Sequence, residues 1–455
     1  MKTNDFFEAI SFIELEKMLS EQGCDFALVK KLAPNDNAKN QIFLGSDLSE
    51  VSSIPTGNLS INTGTSQKSS SKSTSIVHAA VAFNWLTANG FEKAPNAQII
   101  YYPQYPEVRL SGLLRGTTKS PSVLLNPEKR GREIGRVLVL AINMESKMVF
   151  AVLLSASAHS LPMIFDALTP ESNGVFSKWQ FSTSMKTDSK GDLFHELCRI
   201  HNLGWIEGKR LTKDGAISYS ASNGGGYTLE AELGIRPNGY SLPDYQGWEV
   251  KQHKVKNFKN SLTGKVTLFT PEPDGGLYVD EGLEYFVREW GVREPGGNRY
   301  DFAGIHKAGV ESVRTGLTLS VNGFVAGSTE FDVQGGIELR DQSGRTAARW
   351  SFTKLLEHWK RKHANAVYVP SIGYAIEVQN VLTKRYSYSN QVHIGVGTTF
   401  DRFLNSVSNG KVFYDPGIHL TPNADSKKRS QFRVATKDLA ALYNRFDHID
   451  VCSRN

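Results

Sequence analysis

The chain has 455 residues, enough for two or three domains that each bury a core. Its 40% hydrophobic and 22% charged content is that of an ordinary globular protein, and no apolar run approaches the roughly 20 residues needed to span a bilayer. The net charge of +6 permits a polyanionic partner without requiring one.

In chain order, "MKTNDFFEAISFIELEKML" has an amphipathic helical pattern with acids. It lacks the basic start and small-residue cleavage site of a signal peptide. In "FALVKKLAPNDNAKNQIFLG" two apolar runs flank a polar turn at Pro34, Asn35, Asp36 and Asn37. The Ser-rich "NTGTSQKSSSKSTS" reads as a mobile loop or linker, and "SIVHAAVAFNWLTANG" predicts a helix stopped at Gly90. Short β runs broken by Pro and Gly follow, from "QIIYYPQYPEVRLSGLLRG" to "GRVLVLAINMESKMVFAVLLSAS". Residues 1–184 therefore read as one strand-rich α+β domain. Its basic residues fall in three groups: Lys30, Lys31 and Lys39; Arg109, Arg115 and Lys119; Arg130, Arg132 and Arg136. Basic loops on a β scaffold suit phosphate contacts, Lys30, Arg109 and Arg115 foremost, although solvated surface explains each group as well.

Residues 185–455 read as a second domain. "KGDLFHELCRIHNLGWIEGKRL" opens on a helix with Leu193, Leu197 and Ile200 on one face, and "YTLEAELGI" is a short helix after Gly224, Gly225 and Gly226. Strands follow at "GWEVKQHKV", "KVTLFT" and "GLYVD", with Asp274-Gly275 as a hairpin turn between the last two. "RWSFTKLLEHWKRKHA" is a basic helix and "AVYVPSIGYAIEV" a strand. The three cysteines, Cys24, Cys198 and Cys452, are odd in number and widely spaced, which argues against a disulfide framework and for a reducing cytoplasm. His195, Cys198 and His201 drift round their helix, and His358 and His363 fall five apart, so neither set has zinc-ligand spacing.

The chemistry concentrates in "PDYQGWEVKQ", residues 243–252. On a strand, Glu249 and Lys251 project to the same face, about 6.6 Å apart along the strand. Val250 then points into a core. A bend at Gly247 can bring the Asp244 carboxylate beside that of Glu249. Two adjacent carboxylates repel unless a cation lies between them, and hard oxygen ligands suit Mg²⁺. A neighbouring lysine can orient a metal-bound water or steady a phosphate. The bland alternative is a half-exposed strand with alternating charge.

The segment "GGGYTLEAELGIRPNGYSLPDYQGWEVKQ" resembles the active-site region of PD-(D/E)XK nucleases. More narrowly, it resembles the MvaI/BcnI restriction endonucleases, relatives of the mismatch-repair nickase MutH, with the likeness extending over about residues 190–440. The resemblance implies a mixed sheet flanked by helices. It implies that Asp244 and Glu249 bind Mg²⁺ (with Mn²⁺ able to substitute), that Lys251 acts at the attacking water, and that Glu230 of Thr228-Leu229-Glu230 supports the site. It further implies sequence-specific hydrolysis of double-stranded DNA to 5′-phosphate ends by a cytoplasmic monomer of a restriction–modification system acting in phage defence. Base recognition is then expected from "TKRYSYSNQVHIG", with Arg385, Tyr388 and His393 as the readers. The N-terminal segment resembles the opening of the EcoRII DNA-binding effector domain. Two rival readings remain open: a nicking or modification-dependent nuclease, and a non-catalytic DNA-binding regulator on a nuclease fold.

Overall fold

The computed structural model describes residues 7–34, 40–64, 74–87, 90–170, 175–181, 189–235, 245, 247–362, 365–378, 381–421 and 428–453. Most of the Ser-rich stretch expected to be a linker lies outside these residues. The fold is mixed α+β and strand-rich. Two compact units divide the chain, Met1–Thr187 and Asp188–Asn455.

The N-terminal unit holds a seven-stranded sheet in the order Leu168–Pro170, Ser177–Gln180, Phe26–Lys31, Val137–Asn143, Met148–Leu154, Ala82–Thr87, Gly90–Lys93. The strands Val137–Asn143 and Met148–Leu154 are apolar and buried almost throughout, as befits strands covered on both faces. Ser11 caps the helix Phe12–Ser20, accepting from the Glu14 amide, and the helix packs Leu15 and Leu19 on this core. A second sheet runs Ile42–Gly45, Glu107–Ser111, Gln98–Tyr102, Thr74–Ala80, Ser60–Gly64.

Two N-terminal expectations are corrected. "SIVHAAVAFNWLTANG" forms not a helix but the strands Thr74–Ala80 and Ala82–Thr87. Val77, Ala79, Val81, Phe83 and Trp85 are all buried, a period of two that β pairing satisfies and a helix would scatter around its circumference. Arg136 is not a surface cation. It is 0% exposed and donates to the carbonyls of Glu133, Leu124 and Ala33, satisfying three carbonyl oxygens inside the fold.

In the second unit the strand Asn365–Val378 organises a six-stranded sheet. It pairs antiparallel with Val381–Tyr388 and Gln391–Val396, and parallel with Glu249–Lys254; Arg445–Asp450 joins beyond Gln391–Val396. One face of this sheet carries Val250, Val367 and Ile394 into a core with Leu193, Leu197 and Ile200 of the helix Ser189–Asn202 and Leu229 of the helix Gly224–Glu232. The other face carries the polar residues described below.

Two more expectations are corrected here. Residues Leu277–Asp280 are helical rather than a strand. Tyr278 is buried and its hydroxyl donates to Glu272, while the Asp274 carboxylate accepts from the Ser351 amide at 2.8 Å, so the Asp-Gly pair ties two segments together instead of turning a hairpin. Cys198 and Cys452 are joined by a disulfide, against the expectation from their spacing. They are 254 residues apart, but the helix Ser189–Asn202 and the turn after Arg445–Asp450 pack on the same core cluster, which brings the thiols together. Cys24 is free and buried, and burial pushes its thiol up to about 12. Among the described residues no helix is long and apolar enough to cross a membrane.

Candidate active site

The strand Glu249–Lys254 is set up by its entry. Tyr245 and Trp248 exchange backbone hydrogen bonds of 2.9 and 2.7 Å, closing a tight turn in which Gly247 takes φ +89°. A Cβ there would be strained, so the glycine before the strand serves the turn. Trp248 is buried and Val250 faces the helices, so Glu249 and Lys251 point together to the opposite face. Glu249 is 0% exposed. The Lys251 ammonium lies 2.5 Å from its Oε1, so the buried carboxylate is held beside a positive charge.

The register extends this face across the sheet. Lys251 lies opposite Tyr368, Tyr368 opposite His393, and His393 opposite His448. One row towards the strand start, Glu249 lies opposite Ala366, Ala366 opposite Gly395, and Gly395 opposite Phe446. The small residues leave room for the Tyr443 ring. A Cβ on Gly395 would sit 2.5 Å from it. Tyr443 and Tyr368 share a 2.7 Å hydroxyl–hydroxyl bond in the interior. Burial pushes the Tyr368 hydroxyl above its ordinary range, and the nearby Glu249 charge pushes it further. Glu249 is thus backed by aromatic rings and approached by one ammonium.

The helix Gly224–Glu232 carries Glu230, half-buried, and packs through Leu229 on the core that Val250 enters from the strand. Thr228 is buried, its hydroxyl donating to Gly224 O at 2.7 Å, and Leu229 joins the core beside Val250. Close approach depends on the glycine run: a Cβ on Gly225 would come within 3.1 Å of the Gln252 carboxamide. Gly234, with φ +73°, ends the helix, and Ile235 donates back to Glu230 O at 2.8 Å. Pro243 and Asp244 lie outside the described residues. Among the described residues, no cluster of three or more His, Cys, Asp or Glu could hold a metal ion.

The expected DNA contacts separate. Tyr388 is 1% exposed and donates to Gly225 O at 2.7 Å, and His393 is 4% exposed, stacked between Phe446 and His448 with its Nε2 3.1 Å from Ser261 Oγ. Both side chains are thus packed inside the unit in this structure. Arg385 is at the surface and paired with Glu207 at 2.8 Å. Lys30 is half-buried over the Phe43 ring, and burial holds its ammonium below the ordinary lysine range. Arg109 is spent on Glu107 and Gln41. Arg115 is exposed on the rim of an N-terminal cavity.

Sequence reading missed a basic recess in the second unit. A cavity of about 270 Å³ is lined by Arg299, Asp301, Arg314, His419 and Arg429. Asp301 and His419 lie opposite each other on the strands Tyr300–Ala303 and Gly417–Leu420, and Asp301 accepts from Arg299 at 2.8 Å. Arg314 and Arg429 lie over Gly304 and Gly417 and make no ion pair among the described residues. The four basic residues span 131 positions (299 to 429), so no local pattern could flag them.

The second unit is thus a strand-rich α+β fold with a buried glutamate–lysine pair on its central sheet and a basic recess beside other strands. The MvaI/BcnI restriction endonuclease family matches residues 194–443, and the chain belongs to that family: it is a restriction-type DNA endonuclease. Among solved structures, the restriction endonuclease MvaI bound to its cognate DNA aligns at 17% identity, covering 58% of this chain and 98% of that one, with a TM-score of 0.43. MvaI in the absence of DNA aligns at 16% identity with the same coverage and a TM-score of 0.33. No curated protein matches the chain.

Proposed function

We propose that the chain cuts double-stranded DNA at a specific sequence, with Mg²⁺ held by Asp244 and Glu249 and with Mn²⁺ able to replace it. The observation that carries this reading is the fully buried Glu249 carboxylate with the Lys251 ammonium 2.5 Å away on the same strand face. A hard, anionic oxygen donor suits a small divalent cation that takes one or two carboxylates. When bound, the ion supplies Lewis acidity at the scissile phosphate and an acidified water.

The chain's own groups supply orientation and charge. Lys251 holds Glu249 and acts at the attacking water or the phosphate. Glu230, carried by the adjacent helix, supports the site from its half-buried position. Water adds to phosphorus, the P–O3′ bond breaks, and the products are a 5′-phosphate and a 3′-hydroxyl. Arg299, Arg314 and Arg429 meet phosphates or guanine edges, and Asp301 suits a cytosine amino group. The N-terminal unit binds DNA as well, with Arg115 the basic residue best placed for it, and the protein acts as a monomer.

The test is incubation with unmethylated and methylated phage and plasmid DNA, in Mg²⁺ and in EDTA, beside Asp244→Ala and Glu249→Gln. Discrete fragments that vanish with EDTA and in both variants are expected. Tight binding without cutting on either DNA would make the chain a regulator instead.

A further inference from the structure

In the second unit the strands Lys209–Thr212 and Gly215–Ser218 form a hairpin that pairs with no other strand among the described residues. A two-stranded ribbon is marginal by itself, so its anchors decide whether it holds a shape. Gly208 N donates to Lys384 O at 2.6 Å, and Tyr219 N donates to Gly208 O at 2.8 Å, which ties the two ends of the hairpin to each other and to the strand Val381–Tyr388. A Cβ on Gly208 would collide with Tyr219 O, so the closure needs the glycine. Lys209 N donates to Thr228 Oγ1 at 3.1 Å, and Lys209 Nζ lies 2.6 Å from Glu232. The hairpin is thus mounted on the helix Gly224–Glu232, and its second strand is exposed along its whole length.

Arg210 is placed differently from the basic residues around it. Lys209 is paired with Glu232, Arg199 with Glu196 and Glu232, and Arg385 with Glu207. The Arg210 guanidinium lies instead over two rings, 5.6 Å from the centre of Tyr219 and 6.0 Å from that of Tyr227, and its side chain makes no hydrogen bond or ion pair among the described residues. The rings are themselves fixed, edge to face at 5.2 Å, with the Tyr219 hydroxyl donating to Asn223 Oδ1 at 3.0 Å. Ring faces hold a guanidinium in place without occupying its N–H donors. Tyr227 and Glu230 are three apart on one helix and are therefore neighbours on its surface. An unspent guanidinium fork is held beside the helix face that carries Glu230.

The donor geometry names the ligand. A planar fork of N–H groups matches two non-bridging oxygens of a phosphate, and charge assistance makes that pair a strong one. The scissile phosphate is served by Lys251 and the metal in the reading above, which leaves the fork for a neighbouring phosphate. We propose that Arg210 grips one backbone phosphate of the duplex being cut, other than the scissile one, and so positions the strand for attack, with Tyr219 and Tyr227 as the platform that aims it. A positioning contact of this kind fixes the reacting atoms in register. The proposal rests on the reading of the chain as a DNA endonuclease with Glu230 at its cutting site.

The test uses the full chain. Cut sites are mapped on natural DNA, and duplexes carrying the site are made with a single methylphosphonate, which removes one phosphate charge, at each backbone position in turn. Cutting is measured in Mg²⁺ and binding in EDTA over a range of salt. Arg210→Gln is expected to melt as wild type does, to lose about tenfold in kcat/KM on unmodified DNA, and to lower the slope of log affinity against log salt by about one. It is further expected to be indifferent to the methylphosphonate at one position where wild type is sensitive, while every other position keeps its penalty. Arg210→Lys, which keeps the charge and loses the fork, is expected to restore the salt slope and only part of the rate. An Arg210→Gln variant that cuts unmodified DNA as wild type does, or that keeps the wild-type sensitivity at every position, overturns the phosphate contact alone. A wild type that neither cuts nor binds DNA overturns the endonuclease reading and the contact with it.

Discussion

The Lys251 ammonium sits 2.5 Å from a Glu249 carboxylate that has no solvent exposure, on a strand whose opposite face is sealed by helices. Removing one partner of a buried pair costs more than removing both, because the remaining charge keeps its desolvation penalty. Lys251→Met is therefore expected to abolish cutting and to lower stability by about 3 kcal/mol. Glu249→Gln abolishes cutting at a smaller cost, and Glu249→Gln/Lys251→Met recovers most of the stability without activity. Urea melts of the three variants check this. Equal destabilisation by the single and double variants would show that the pair is not coupled.

The glycine run Gly224–Gly226 makes a sharper local prediction, because its members differ in surroundings. A Cβ on Gly224 would lie 2.5 Å from the Tyr386 hydroxyl, whereas a Cβ on Gly226 meets nothing within 4 Å. Both are in the helix Gly224–Glu232. Gly224→Ala is expected to cost about 1–3 kcal/mol by overpacking. Gly226→Ala is expected to gain roughly 0.5–1 kcal/mol from helix propensity. Thermal melts separate the two, and destabilisation by Gly226→Ala would contradict the open surroundings.

These two sites also show what could be read beforehand. The helix over Thr228-Leu229-Glu230 and the strand over Glu249-Val250-Lys251 were legible because their signals are local: a glycine stop, a period of two, a turn glycine before the strand. The strands at Val77–Trp85 misled because alanines between buried positions imitate a helical face, and the period of two emerges only once pairing is known. The burial of Tyr388 and His393 could not be read, since a strand covered on both faces looks polar when its interior side chains are Tyr and His. The pairing of Cys198 with Cys452 and the recess of Arg299, Arg314, His419 and Arg429 depend on long-range packing, to which sequence spacing is blind.

Acid stability follows from two buried imidazoles. His306 is 0% exposed, stacked on Phe302 and bonded through Nε2 to Thr315 Oγ1 at 2.8 Å, and burial pushes it down to about 4. Burial, and then the neighbouring His448 and His253, push His393 to about 4 as well. A group depressed in the folded state contributes stability above its unfolded value near 6.5, and that stability is lost as pH falls towards 4. Each imidazole is worth about 3 kcal/mol over that window. Unfolding free energy is expected to fall steeply between pH 6.5 and 4, with a shallower slope in His306→Gln. An unchanged slope in both His306→Gln and His393→Gln would place the titration elsewhere.

The Cys198–Cys452 disulfide closes a loop of 254 residues, nearly the whole second unit. In the chain-entropy account a loop of this length restricts the unfolded ensemble strongly, and removing the link costs about 5 kcal/mol. Reduction with dithiothreitol is therefore expected to lower the melting temperature of the second unit. Cys198→Ser and Cys452→Ser should each melt as the reduced wild type does and respond no further to reductant. Cys24→Ser, which removes a buried thiol outside the bond, should respond to reductant as wild type does. Cutting at a temperature well below the melt should persist in the reduced protein, because the bond joins the helix Ser189–Asn202 to the C-terminal turn while Glu249 and Lys251 sit on a different strand face. Loss of cutting on reduction without loss of folded structure would instead tie the disulfide to the geometry of the active site.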